Sequence, residues 1–145
     1  MRCVIQRVLS AEISVSGEII ASIGKGLAVL VGFNSFDSEE CIPDIVNKLI
    51  NLRIFDDENN KLNLSVQDIG GEILLAPNFT LYGDASKGRR PDFTASMKAD
   101  KAELIFADTV KQLKSAYDKC KFGIFKANMR ISLINDGPLT IIYEK

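Results

Sequence analysis

Gly71-Glu72-Ile73-Leu74-Leu75-Ala76-Pro77-Asn78-Phe79-Thr80-Leu81-Tyr82 contains three consecutive apolar residues, Ile73 to Leu75, behind the turn formers Gly70-Gly71 and ahead of Pro77. The pattern predicts a buried strand that ends in an irregular turn. Where such a strand breaks off at Pro77-Asn78, backbone N–H groups are free to point at a ligand instead of a neighbouring strand. The plainer alternative has Thr80 continuing an edge strand over Phe79 and Leu81, and periodicity alone favours it.

Upstream, Leu27-Ala28-Val29-Leu30-Val31-Gly32 also lacks a polar residue, as expected of a strand covered on both faces. Before it, residues 2–9 alternate loosely and run into Ser10 to Ser16, with turns at Gly17-Glu18 and Gly24-Lys25-Gly26, which predicts an N-terminal meander of short strands. Ile42, Ile45, Val46, Leu49 and Ile50 set out a first helix, with Asp37 and Glu40 as a capping pair and Pro43 restricting its start. Ile54-Phe55 is a short strand, and Asp56 to Lys61 an acidic turn that lacks the central glycine and closing glutamate of a calcium loop. Leu62, Leu64 and Val66 alternate with polar residues as in a half-buried strand.

Downstream, Gly83 to Phe93 is glycine-bearing, basic and irregular, and therefore a surface loop. Asp100 with Glu103 reads as a capping box for a second helix with the stripe Ala102, Ile105, Phe106, Val110, Leu113, Ala116 and Tyr117. Arg130 to Ile134 and Leu139 to Tyr143, separated by Asn135-Asp136-Gly137-Pro138, read as an antiparallel pair. Proline after glycine in that turn is either an ordinary tight turn or a site for a cis bond. The order of elements predicts a single α+β domain over residues 1–145, with mixed, largely antiparallel sheets and two main helices.

The 145 residues carry a formal net charge of −1, so a polyanion has to be met by a local patch. Lys87, Arg89 and Arg90 form one in the surface loop, diluted by Asp84 and Asp92. Arginines there suit phosphates; a solubilising loop is the bland alternative. Cys3, Cys41 and Cys120 are unpaired by spacing and fit reduced thiols, and with no signal-peptide core and no span-length apolar run the chain reads as cytoplasmic. There is no histidine, which removes the usual general base, histidine triads and the usual catalytic zinc sites. No phosphate-binding glycine motif is present, and no metal or cofactor is expected.

The opening Cys3 to Val8, Leu52-Arg53-Ile54-Phe55, Asn78 to Tyr82, Lys87 to Phe93, Gly123-Ile124-Phe125 with Met129, and Asn135 to Thr140 together resemble the D-aminoacyl-tRNA deacylase family, in family order and over nearly the whole chain. The resemblance implies a homodimeric, metal-independent enzyme that hydrolyses the ester between a D-amino acid, or glycine, and the terminal adenosine of tRNA. It implies that Pro77, Asn78, Phe79 and Thr80, with Met129, line the pocket. It also implies that Gly137-Pro138 has a cis bond and enters the partner's pocket, where its carbonyls exclude an L side chain. The resemblance further implies that the terminal 2′-hydroxyl of the RNA takes a role that a protein side chain would otherwise fill, which agrees with the absence of histidine. Read with that resemblance, the residues lead us to expect the N–H groups of Asn78 and Phe79 to hold the substrate carbonyl, Thr80 to orient the aminoacyl group or water, and Arg7 to lock the Gly137-Pro138 turn. Arg7 as an ordinary surface arginine is the alternative.

The chain departs from the family's Ser-Gln at Pro77-Asn78, and from its glycine at Lys126. Pro77 offers neither hydroxyl nor N–H, and Asn78 is one methylene shorter than glutamine. Animal editing relatives that accept some L-amino acids also have proline at the first position. A deacylase of relaxed chirality, and a non-catalytic tRNA binder, are therefore the competing readings.

Overall fold

A single strand of 14 residues, β1 (Arg2–Val15), organises the computed structural model, which describes residues 1–145. Cys3 and Ile5 face one apolar cluster, whereas Val8, Ala11 and Ile13 face a second. The change of phase is made by the bulge after Val8, where pairing steps from Val8↔Asn135 to Ser10↔Ile134 and leaves Leu9 as an extra residue of β1, because one extra residue turns every following side chain to the other face. The expected meander of short strands thus opens on one long strand, which runs on through Ser10 to the turn at Gly17.

The closing segment departs from expectation in the same way. Met129–Glu144 forms one strand, which pairs with β1 from Val15↔Met129 to Arg2↔Glu144. Its two halves do not pair with each other. Pairing passes from Val8↔Asn135 to Gln6↔Thr140, leaving Asp136, Gly137, Pro138 and Leu139 as a bulge opposite Arg7, with the Gly137-Pro138 bond cis. A turn-forming sequence was absorbed by a long antiparallel ladder whose register on β1 both halves satisfy.

Because this last strand occupies one edge of β1, β2 (Glu18–Ile23) and β3 (Gly26–Gly32) share the other, opposite Ala11–Val15 and Arg2–Val8. Helix α1 (Ile42–Asn51) and the two-stranded ribbon of β4 (Phe55–Asp56) and β5 (Leu62–Leu64) follow. Then β6 (Glu72–Pro77) adds parallel to β3. After α2 (Ala99–Ala116), β7 (Cys120–Phe122) adds parallel to β6, and Met129–Glu144 is β8. The architecture is the expected α+β type, with the parallel pairs confined to β3, β6 and β7.

The apolar runs of β3 and β6 follow from this layering. Ile73 and Leu75 face the main core with Ile45, Leu49, Ile105 and Phe106 of the helices, while Leu74 and Ala76 face the second cluster with Val8 and Ile13. A strand buried on both sides has no position for a polar side chain.

Both expected helix caps are corrected. Asp37 accepts from the Asn34 N–H at 2.6 Å and pairs with the Met1 ammonium at 2.6 Å, and α1 begins at Ile42 after a 3-10 turn over Glu39–Cys41, with Pro43 in its first turn. Asp100 and Glu103 cap nothing, since α2 starts at Ala99. They meet Lys126 Nζ instead, at 3.6 and 2.8 Å.

Candidate active site

Where β3 and β6 end side by side, a cleft of about 660 Å³ opens between them, the start of α2 and the turn before β8. That volume suits a small-molecule or aminoacyl group. Its walls are mostly apolar and include Val31, Phe33, Pro77, Phe125 and Met129, with Asn78 as a polar group at the strand end.

The local chemistry of this end follows from Pro77 and Asn78. The Asn78 N–H donates to Val31 O at 2.7 Å, on the β3 side of the strand. Strand donors alternate, so the proline nitrogen faces the β7 side, where pairing with β6 stops at Phe122 and no ladder bond is lost. The chain then tightens into a 3-10 turn, Phe79–Tyr82, with Asn78 at its N-cap. The Asn78 carboxamide oxygen accepts from the Thr80 N–H at 3.0 Å and from the Thr80 hydroxyl. Thr80 therefore does not continue an edge strand.

This geometry divides the expected residues. Pro77, Asn78, Phe79 and Met129 line the cleft; Thr80 does not, and reaches it only through Asn78. The expectation that the Asn78 N–H faces a ligand is corrected, because that donor extends the β3–β6 ladder. Phe79, the first residue of the turn, has an N–H of the kind that a helix start leaves unpaired. Gly32 protects the arrangement: a Cβ there would lie 2.8 Å from Asn78 O and 3.0 Å from Leu81 Cβ.

Arg7, Gly137 and Pro138 are not on this cleft's wall. Arg7 is buried, which removes its reading as a surface arginine, and it grips the bulge: Nε donates to Asp136 O at 3.0 Å, while Nη1 donates to Ile54 O and to Asp56 Oδ2, both at 3.0 Å. Lys87, Arg89 and Arg90 are exposed on a loop closed by reciprocal bonds between Asp84 and Asp92. Phe93, at the foot of that loop, packs edge-to-face on Phe79 at 5.4 Å, so the basic loop sits on the cleft's rim.

Ionisation narrows the candidate groups. Burial pushes the Cys3 and Cys120 thiols up to about 12, so both are protonated at neutral pH and neither is a nucleophile. Burial, then the charges of Asp37 and Glu144, pushes the Tyr82 phenol up. Hydrogen bonds from Ser86 and Thr94 hold Asp84 and Asp92 below the usual carboxylate range, so both stay ionised beside the basic loop.

The sequence reading missed Phe33, Val31 and Met97 as cleft residues, because nothing in an apolar strand or loop distinguishes a pocket wall from core. Lys126 was visible only as a departure from the family's glycine. Its φ of +62° explains that glycine, since the left-handed region disfavours side chains. Here the Lys126 ammonium compensates by pairing with Glu103, a contact that raises its pKa.

The sequence matches the family model described as D-Tyr-tRNA(Tyr) deacylase over residues 4–144. The chain belongs to this family. It is 46% identical over 144 residues to a D-aminoacyl-tRNA deacylase of Clostridium botulinum, covering 99% of this chain and 97% of that one. A D-aminoacyl-tRNA deacylase of Thermoanaerobacter pseudethanolicus is 47% identical over the same shares. A solved structure described as c-Myc DNA unwinding element binding protein superposes with a TM-score of 0.94 at 39% identity, covering 100% of this chain and 99% of that chain. That of a probable eukaryotic D-amino acid tRNA deacylase gives 0.88 at 16% identity, covering 98% and 97%, and shares the fold. No helix is long and apolar enough to cross a membrane.

Proposed function

We infer that this protein hydrolyses the ester of D-aminoacyl-tRNA, releasing the free amino acid and tRNA as chiral proofreading. The observation that carries the reading is the family match together with a cleft whose polar end is backbone and amide, with no thiolate or imidazole beside it. Water adds to the ester carbonyl, the bond to the ribose oxygen breaks, and the proton released by water ends on that oxygen. The N–H of Phe79 steadies the oxyanion, a contribution typically worth about 3 kcal/mol for one preorganised donor. Asn78, held by Thr80, borders the aminoacyl group, and the ribose 2′-hydroxyl assists the attack.

The chiral screen is Gly137-Pro138 of a second copy. The Asp136–Leu139 bulge is absent from its own chain's cleft and gripped by Arg7, which suits a group that projects into a partner. A carbonyl wall there would strike an L side chain and spare a D side chain or glycine, so glycyl-tRNA is also cleaved. Lys87, Arg89 and Arg90 meet phosphates of the acceptor end, without reading sequence. The working compartment is the cytoplasm.

The test compares D-, L- and glycyl esters on one tRNA, with the 2′-deoxy D ester alongside. D and glycyl esters should be cleaved, ordinary L esters little, and the 2′-deoxy ester severely slowed. Equal D and L rates would overturn the screen, and full activity on the 2′-deoxy ester would overturn RNA assistance. Because Pro77-Asn78 alters the cleft edge, L-alanyl-tRNA belongs in the panel; its rapid cleavage would favour the relaxed deacylase, and tRNA binding without any cleavage the pure binder.

A further inference from the structure

Phe36 is 95% exposed, more than any other large apolar side chain of the protein. Water-exposed aromatics on floppy loops are unremarkable, but this one stands on a turn fixed at both ends. The Asn34 carboxamide oxygen accepts from the Phe36 N–H at 3.0 Å and from the Ser35 hydroxyl at 3.3 Å. Asp37 accepts from the Asn34 N–H through Oδ2, donates its own N–H to Asn34 O at 3.1 Å, and is anchored by the Met1 ammonium.

The turn is tied to the cleft. Phe33, just before it, is on the cleft wall; Ser35 N–H donates to Ala95 O at 3.0 Å, Asn34 bridges to Ser96, and the Ser96 hydroxyl donates to Phe79 O at 3.0 Å. Phe79 in turn carries Phe93 and the foot of the Lys87–Arg90 loop. An unbroken run of contacts thus joins the turn that bears the bare Phe36 ring to the cleft wall and to the foot of the basic loop.

We propose that Phe36 is a stacking platform for an unpaired base of the tRNA's single-stranded acceptor end. The proposal rests on the deacylase reading, which brings that end to the cleft. Bases beside the ester are unpaired and offer a π-face, and stacking on an aromatic side chain tolerates any base. A ring already held by its turn loses little backbone freedom when a base lands on it. Lys87, Arg89 and Arg90, on the loop that this run of contacts reaches, supply the charge complementarity for the phosphates that accompany those bases.

The chain has no tryptophan, so Phe36→Trp creates a sole indole reporter. Its emission should be quenched saturably by uncharged tRNA and far less by the same tRNA lacking its terminal unpaired nucleotides. In turnover, Phe36→Ala should raise KM for D-tyrosyl-tRNA roughly 5- to 150-fold, the equivalent of losing one stacked base, with kcat kept and Phe36→Trp restoring KM. Unquenched emission while a gel shift shows tRNA bound, or an unchanged KM in Phe36→Ala, would overturn it. So would indole emission that shifts with protein concentration alone, which would place the ring against a second copy. A wild-type protein that cleaves no D ester would fail the deacylase reading, whereas the fluorescence arm judges the platform separately.

Discussion

Asn78 carries two tasks that pull on different atoms. Its N–H closes the β3–β6 ladder on Val31, and its side chain caps the turn that holds Phe79. Thr80 adds a second donor to the same carboxamide oxygen, so it fixes the rotamer of a cleft residue without touching the cleft. Thr80→Ala should therefore lower kcat/KM roughly tenfold, equal to about 1.4 kcal/mol, through a mobile Asn78. The fold should lose no more than about 1 kcal/mol, since Asn78 keeps the Thr80 N–H. Deacylation kinetics beside urea unfolding separate the two; unchanged turnover would take Thr80 out of the site's support.

Among the elements, β8 is unusual in bulging where a turn was expected. The bulge survives because Arg7, on the facing strand, replaces the missing ladder bonds with a bond from Nε to Asp136 O, an ion pair to the Asp136 carboxylate at 3.3 Å, and contacts to Ile54 and Asp56 through Nη1. Truncating a nearly buried guanidinium with these partners should cost about 2–3 kcal/mol, read as a lower urea midpoint. Arg7→Lys should recover little of it, because one ammonium cannot span three directions. Stability equal to wild type in either variant would show that the bulge holds itself. The parallel pair of β3 and β6 depends on a different fit: a Cβ at Gly26 would lie 1.9 Å from Glu72 O, so only glycine lets β3 approach β6.

For the whole molecule, the outer edge of β8 is the feature left unfinished. β8, a strand of 16 residues, pairs only with β1, and Ile131, Ile134 and Ile142 stand exposed on it. A long apolar edge invites pairing with another chain, and a twofold dimer would cover it while delivering each Gly137-Pro138 to its partner. Sedimentation at assay concentration should give twice the 16.0 kDa chain mass. An active monomer would show instead that each cleft is complete in itself.

The sequence by itself determined the buried strands, the two helices, the α+β class and, by its motifs, the family. Those features rest on local periodicity and on residue order, which one chain displays in full: Leu27 to Gly32 and Ile73 to Ala76 are apolar because both their faces are covered. Only the tertiary structure decided that Met129 to Glu144 is one strand, that Arg7 is buried, and that Asp100 and Glu103 serve Lys126 instead of a helix start. It also decided that the Asn78 donor is consumed and that Phe33 and Phe125 share a wall with Pro77. Each of these depends on a partner distant in sequence, and a turn former, a cap or a free N–H keeps its local preference only until a long-range partner offers it a better bond.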